Sequence, residues 1–194
     1  MARTESFMLP LNTQAPFFSL PNSVNGTILT IDEIKGSKGT LVIFMCNHCP
    51  YVIHLLDKIV EVSDQIKEWG INTVAISSND IEGYPEDRPE LMKKLALEHS
   101  FGFPYLYDET QSVALDYQAA CTPDFYLFDE GLKLVYRGRF DGARPKNDNP
   151  ITGKDLLKAC KSLFEGLPQE KDQIPSLGCG IKWKNGNEPK GISD

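Results

Sequence analysis

The sequence is poor in basic residues and has no long apolar segment. Its 20 lysines and arginines are outnumbered by 27 aspartates and glutamates, so the formal net charge is −7. A nucleic-acid-binding surface needs clustered basic side chains to neutralise phosphates, and this balance argues against such a partner. A membrane-spanning helix needs about 18 or more consecutive apolar residues. The chain has no such run, so we expect no membrane partner.

The first ten residues do not have the pattern of a secretory signal, and the number of cysteines is odd. Residues Met1 to Pro10 contain no apolar run of the length that a signal peptide requires, so we expect a cytoplasmic location. The chain has five cysteines, and two of them lie three residues apart. This usage is typical of a reducing compartment, with a reactive or metal-binding pair of thiols rather than a disulfide framework. Export stays an alternative only for a chain whose N-terminus has been trimmed.

The remaining composition is that of an ordinary globular protein. Hydrophobic residues make up 41% of the chain and charged residues 24%, which excludes a disordered or collagen-like sequence. A chain of this length buries roughly 70% of its unfolded surface, so it needs no disulfides to fold. We predict a single domain over residues 1–194, with a core over about residues 10–165. The polar tail at 166–194 is expected to dock on that core.

The hydrophobic pattern predicts an α/β fold. The continuous apolar run from Leu41 to Met45 is typical of a strand that is buried on both faces. Apolar residues recur at helical spacing from Pro50 to Trp69, and Ile71 to Ser77 has the pattern of a second buried strand. Strand, helix and strand in this order form a βαβ unit with two parallel strands. A β-hairpin is predicted over residues 124–139.

The residues that carry chemistry are concentrated in Cys46-Asn47-His48-Cys49-Pro50, between the first strand and the helix. Two sulfurs three residues apart at a helix start lie on one face and can close a disulfide. Unpaired N–H groups and the helix dipole stabilise a thiolate there, so we assign the attacking thiolate to Cys46. Cys49 is expected one turn into the helix, where it is less exposed and resolves the mixed disulfide. Zinc sites use the same spacing, so a metal-binding interpretation stays open.

The motif and its surroundings resemble the thioredoxin-like superfamily, in the redoxin branch of alkyl hydroperoxide reductase and thiol-specific antioxidant (AhpC/TSA) proteins. Ala-Pro-x-Phe-x-Leu-Pro at 15–21 is similar to the N-terminal extension of that branch, and Thr122-Pro123-Asp124 is similar to its cis-proline segment. Gly-Cys-x-Ile-Lys-Trp at 178–183 is similar to the tail of an uncharacterised thioredoxin-like group that carries Cys-x-x-Cys-Pro. The resemblance implies a thioredoxin fold, which is a central mixed β-sheet flanked by helices, with an N-terminal β extension and a C-terminal tail.

The resemblance also implies roles for residues in and beyond the motif. Pro123 is expected to have a cis peptide bond and to face the cysteine pair, and the backbone of Thr122 is expected to bind a peptide beside the disulfide. His48 occupies the position before the second cysteine, as in strongly oxidising members of the superfamily. We expect its imidazole to stabilise the Cys46 thiolate, and a solvent-facing loop histidine is the alternative.

The other cysteines allow two interpretations each. Cys121 precedes Pro123 by two residues, so it is either a third redox thiol or metal ligand, or a small buried apolar residue. Cys179, between two glycines of the tail, is either an additional resolving thiol that swings toward Cys46 or a structural thiol. Cys160 lies on the apolar face of the last predicted helix and is expected in the core.

Charged residues outside the motif are interpreted as solvated. Arg137, Arg139 and Arg144 are expected to form a charged surface near the hairpin. The acidic stretch at residues 82–90 is expected to be a solvated linker that leads into a helix.

Three functions are compatible with these residues. We favour a thiol–disulfide oxidoreductase that acts on protein or small-molecule thiols and disulfides through Cys46 and Cys49, with no cofactor. The second function is a peroxidase that reduces hydroperoxides through Cys46. The peroxidase signature of the branch is absent, however, because Gly39 and Ile43 stand where it has Pro and Thr or Ser. The third function is a module whose cysteines and histidine bind copper or zinc.

Overall fold

The computed structural model describes residues 3–189, which form ten strands, five α-helices and one short 3-10 helix. The strands are β1 (Arg3–Glu5), β2 (Ser19–Pro21), β3 (Ile28–Thr30), β4 (Gly39–Phe44), β5 (Ile71–Ser77), β6 (Tyr105–Tyr107), β7 (Cys121–Thr122), β8 (Asp124–Asp129), β9 (Leu134–Gly138) and β10 (Leu177–Gly180). The helices are α1 (Ile31–Ile34), α2 (Pro50–Lys67), α3 (Pro89–Glu98), α4 (Ser112–Asp116) and α5 (Lys154–Glu165), and the 3-10 helix is Pro85–Asp87.

A five-stranded mixed sheet forms the centre of the fold. Its strands follow the order β6-β5-β4-β8-β9. The strands β4, β5 and β6 run parallel to one another, and β8 pairs antiparallel with both β4 and β9. All six residues of β4 are buried, which explains its continuous apolar run. The mixed sheet with flanking helices confirms the predicted thioredoxin-like fold class.

Helices and loops cover both faces of this sheet. One face packs against α2, α3 and α5, and the apolar side of α2 contributes Val52, Leu55, Leu56, Ile59, Val62 and Ile66 to that core. The other face packs against α1, α4 and the N-terminal segment that contains β2 and β3. The helix α1 is short, but Thr30 and Glu33 form a capping box that satisfies its first N–H groups. Between residues 3 and 189, no helix is both long and apolar enough to cross a bilayer.

A second, three-stranded sheet lies next to the segment that carries the cysteine motif. Its order is β1-β10-β7, and both pairings are antiparallel. Cys179 of β10 lies opposite Arg3 on one side and opposite Thr122 on the other. The tail therefore contributes a strand directly beside the predicted cis-proline segment.

Candidate active site

The two motif cysteines lie in the loop that connects β4 to α2. The strand ends at Phe44, Cys49 is the N-cap residue of α2, and Pro50 takes the first helical position, where its missing N–H costs nothing. The prediction that Cys49 lies one turn into the helix is therefore wrong. Because Cys49 is the N-cap of α2, the positive end of the helix dipole favours negative charge at Cys49 as well as at Cys46. Both thiols are at most 1% exposed.

The segment that contains Pro123 faces this pair. The Thr122–Pro123 peptide bond is cis, which confirms the expectation drawn from the family resemblance. The Thr122 hydroxyl lies 3.6 Å from Cys46 Sγ, and the Thr122 carbonyl oxygen lies 3.1 Å from Cys49 Sγ. Thr122 of β7, more than 70 residues away in the sequence, therefore contacts both sulfurs.

The two thiols behave as one ionising pair. A hydrogen bond from Cys46 lowers the pKa of Cys49 to about 5, and the same hydrogen bond raises the pKa of Cys46 well above its ordinary value. The reduced pair therefore carries one negative charge near neutral pH, with the remaining proton held between the sulfurs. A stabilised thiolate in contact with a second thiol is the arrangement that thiol–disulfide exchange requires.

His48 is held by a carboxylate that the sequence did not indicate. Its Nδ1 lies 2.7 Å from Asp87 Oδ2, and its ring stacks on Tyr84 at 5.2 Å between centroids. Asp87 is fully buried, and its carboxylate also accepts hydrogen bonds from Asn79 Nδ2 at 2.8 Å and from the backbone N–H of Asn47 at 2.8 Å. The hydrogen bond with Asp87 raises the pKa of His48. The interpretation of residues 82–90 as wholly solvated is therefore wrong at Asp87.

The other three cysteines lie in different surroundings. Cys179 is buried opposite Thr122, and its thiol affects the ionisation of Cys49 rather than that of Cys46. Cys121 is buried at the start of β7, and its Sγ lies 3.8 Å from the Pro123 carbonyl oxygen. Cys160 is buried on α5 among core residues, where desolvation raises its pKa. The structure thus brings Cys179 to the pair and keeps Cys160 apart from it.

A buried ion pair supports the strand that follows the cis-proline. Arg137 and Asp124 are both fully buried, with Arg137 Nη2 3.5 Å from Asp124 Oδ2. The Arg137 guanidinium also lies over the Tyr126 ring, 5.0 Å from its centroid. Burial raises the pKa of Asp124 to about 6, although Arg137 opposes this rise. The prediction of a solvated Arg137 is therefore wrong.

One group of side chains has a spacing that suits a metal ion. Ligand atoms of Cys46, His48 and Asp87 all lie within 4.8 Å of one another. Thiolate and imidazole are ligands for copper and zinc, as the sequence analysis anticipated for the two motif residues. The third member of the group is a carboxylate rather than Cys49 or Cys121.

The fold and this site together define a thioredoxin-like redox protein. The AhpC/TSA family model matches residues 11–137, and the chain belongs to that family. It is similar to a conserved uncharacterized protein from Geobacillus kaustophilus, with 50% identity over 95% of this chain and 98% of the other, and a TM-score of 0.93. A hypothetical protein from Sinorhizobium meliloti 1021 shares 41% identity over 94% of this chain and all (100%) of its own, with a TM-score of 0.92.

More distant structures share the fold. The thioredoxin domain of a thiol-disulfide oxidoreductase from Bacteroides vulgatus is 19% identical over 81% of this chain and 99% of its own, with a TM-score of 0.62. No curated protein matches the sequence.

Proposed function

We propose that the protein is a thiol–disulfide oxidoreductase that acts on protein or small-molecule thiols and disulfides through Cys46 and Cys49. The observation that carries this proposal is the position of both sulfurs against Thr122, which precedes Pro123: Cys46 Sγ lies 3.6 Å from the Thr122 hydroxyl and Cys49 Sγ lies 3.1 Å from the Thr122 carbonyl oxygen. The lowered pKa of Cys49, about 5, supports it. A buried pair with one stabilised charge is poised for exchange at neutral pH, because the thiolate is the reactive form.

The reaction begins on Cys46 and ends on Cys49. The proton on Cys46 passes to the Cys49 thiolate along their hydrogen bond, and the Cys46 thiolate attacks a substrate disulfide. The substrate S–S bond breaks, one substrate thiolate leaves, and a mixed disulfide joins Cys46 to the other. Cys49 then loses its proton to the first departing thiolate and attacks Cys46 Sγ. The mixed disulfide breaks as the Cys46–Cys49 bond forms, and the second substrate sulfur leaves as a thiolate, so the protein gains a disulfide and the substrate gains two electrons. The reverse sequence oxidises a dithiol.

Neighbouring groups support these steps. The Thr122 hydroxyl is placed to donate to the Cys46 thiolate, because the two atoms are 3.6 Å apart. We further propose that Thr122 and Pro123 bind the substrate and position its sulfur beside Cys46. His48, with its pKa raised by Asp87, supplies positive charge close to Cys46 and favours the reduced form.

A redox titration with mapping of the disulfides tests the proposal. Protein equilibrated in glutathione or dithiothreitol buffers is alkylated and digested, and the linked cysteines are identified by mass spectrometry. We expect a Cys46–Cys49 disulfide that forms and breaks reversibly. Because the lowered pKa of Cys49 stabilises the reduced protein at pH 7, the disulfide should be more oxidising than one formed by two ordinary thiols.

The pH dependence of alkylation gives a second test. The alkylation rate of the reduced pair should rise with pH through a midpoint near 5, because the interaction with Cys46 lowers the pKa of Cys49 to about that value, and Cys49→Ser should move the midpoint upward. Cys160→Ala is the matched control, because Cys160 lies in the core of α5 away from the pair. Absence of any Cys46–Cys49 disulfide across the titration would reject the oxidoreductase.

Two other functions remain to be compared with it. Family membership suggests a peroxidase that acts through Cys46, and consumption of hydroperoxide with a thiol donor at the expense of Cys46 would favour that function. The spacing of Cys46, His48 and Asp87 suggests metal binding. Elemental analysis of protein purified without chelators should find well under one equivalent of copper or zinc if the pair is redox-active, and about one equivalent if it is a metal site.

A further inference from the structure

The tail strand β10 holds a third thiol against the cysteine pair. Its central residue, Cys179, is paired on both sides, with Arg3 of β1 and with Thr122 of β7. Gly178 allows the strand to approach β7 closely, because a Cβ at this position would lie 2.0 Å from the Thr122 carbonyl oxygen. The same carbonyl oxygen lies 3.1 Å from Cys49 Sγ. Thr122 of β7 therefore positions Cys179 through strand pairing, and it also contacts the sulfur of Cys49.

The middle sulfur of the three belongs to Cys49. The Cys49 sulfur lies 3.1 Å from the carbonyl oxygen of Thr122, which is the strand partner of Cys179, and all three thiols are buried in one cluster. The thiol of Cys179 affects the ionisation of Cys49 rather than that of Cys46. A sulfur that lies beside two other thiols can exchange one disulfide partner for the other by side-chain rotation. The structure thus alters the prediction made from the sequence, in which Cys179 moves toward Cys46.

We propose that the protein forms a second internal disulfide, Cys49–Cys179, by exchange from the Cys46–Cys49 disulfide. The sulfur of Cys179 attacks Cys49 Sγ, the Cys46–Cys49 bond breaks as the Cys49–Cys179 bond forms, and Cys46 leaves as a thiolate. The proton of Cys179 passes to Cys46, and no electrons enter or leave the protein. This inference rests on the proposed function, since the exchange starts from the disulfide that the function produces.

The charges around Cys179 favour attack once the pair is oxidised. In the reduced protein, burial and the adjacent Cys49 thiolate raise the pKa of Cys179 to about 12. Oxidation of the pair removes the negative charge on Cys49, whereas the positive charge of Lys182, which lowers the pKa of Cys179, remains. Oxidation of the pair should therefore lower the pKa of Cys179 relative to the reduced protein, while burial continues to raise it.

The exchange has a consequence for the catalytic cycle. The protein stays oxidised by two electrons, but the disulfide now joins Cys49, at the start of α2, to Cys179 of β10. Cys46 is a free thiol again and can react with a second disulfide. The Cys49–Cys179 bond also ties the tail strand to the start of α2. Cys179 therefore acts as a third redox residue rather than as packing.

Mapping the disulfides of the intact, oxidised protein tests the proposal. The wild-type protein is oxidised with glutathione disulfide, quenched with acid and alkylated, and then digested with trypsin, which places Cys46 and Cys49 together in peptide 39–58 and Cys179 in peptide 172–182. We expect a cross-linked species of these two peptides that carries the alkyl group on Cys46. Its amount should be at least roughly a tenth of the Cys46–Cys49 form, the ratio that corresponds to about 30 mV between the two disulfides.

The outcomes separate this inference from the proposed function. A Cys46–Cys49 disulfide as the sole product over the whole titration, or a cross-link through Cys46, overturns the inference and leaves the oxidoreductase intact. No disulfide at the pair, in wild type or in Cys179→Ser, overturns the proposed function as well. Cys179→Ser should abolish the cross-link, and Cys160→Ala should retain it. The wild-type map decides the question even if a variant does not fold.

Discussion

Replacing Asp87 by asparagine tests the support of the active-site loop. The Asp87 carboxylate accepts hydrogen bonds from His48 Nδ1 and Asn79 Nδ2 through one oxygen and from the N–H groups of Asn47 and His48 through the other. In either orientation, the asparagine NH₂ faces two donors and loses both bonds. Hydrogen bonds to charged groups contribute about 1.5–3 kcal/mol each, so Asp87→Asn should lower the free energy of unfolding by about 3–6 kcal/mol.

The loss should depend on pH with a definite sign. Because Asp87 raises the pKa of His48, the stabilisation from the charged pair is fully present below the unfolded value of about 6.5 and is lost as the pH rises through the folded value. The pKa of Asp87 is lowered, so its contribution is lost only as the pH falls through the acid range. The difference in stability between wild type and Asp87→Asn should therefore be greater at pH 5.5 than at pH 8.

Urea denaturation at the two pH values, together with NMR titration of the His48 ring, measures these effects. The matched control is Asp57→Asn, because Asp57 pairs with His99 at the similar distance of 2.8 Å but is 91% exposed. An exposed pair contributes about 0–1 kcal/mol, so the control should change little. Equal losses in the two variants, or a loss at Asp87 that is independent of pH, would refute this account of the site.

Two further substitutions test the packing around the site. Gly178→Ala places a Cβ 2.0 Å from a backbone carbonyl of β7, and the displaced strand should cost about 1–3 kcal/mol in chemical denaturation. Gly83→Ala, whose Cβ meets only a side-chain oxygen at 3.3 Å, should change stability by less than about 1 kcal/mol, and an equal loss there would contradict the steric argument. Arg137→Met leaves Asp124 buried without its cation, so it should cost about 3–5 kcal/mol, with a greater loss at pH 8 than at pH 5 because the pKa of Asp124 rises further. The half-buried Arg139 is the control, and Arg139→Met should cost about 1 kcal/mol or less, so similar costs for the two arginines would reject the buried-pair interpretation.

The central elements could be predicted from the sequence because their signals are local. The apolar run of β4 and the helical spacing of α2 follow from burial of a strand on two faces and of a helix on one. The cysteine motif between them could be found for the same reason. The cis bond before Pro123 needed the family resemblance, since most prolines have trans bonds.

The features that sequence analysis missed depend on contacts between distant segments. Asp87 looks like one of several surface acids, and only the approach of the 3-10 helix to the motif loop buries it against His48. In the sequence, Arg137 looks like one of three surface arginines. It lies in β9, however, which pairs with β8, and this pairing buries Arg137 beside Asp124, the first residue of β8. The short strand β10 has no periodic signal, but the glycines around Cys179 do indicate a close backbone approach.

The pairing of β1 with β10 also decides where the protein can be labelled. Arg3 lies opposite Cys179, and its Nε donates to the Tyr51 hydroxyl of α2 at 3.3 Å. A tag or fluorophore attached just ahead of residue 3 therefore begins beside the three thiols and changes the surroundings that a redox measurement reports on. The exposed turn at Glu130 follows the residue that pairs with Gly39, at the opposite end of β4 from the cysteines. That turn is roughly 20 Å away along the strand, so a label inserted there leaves the thiols in their native environment.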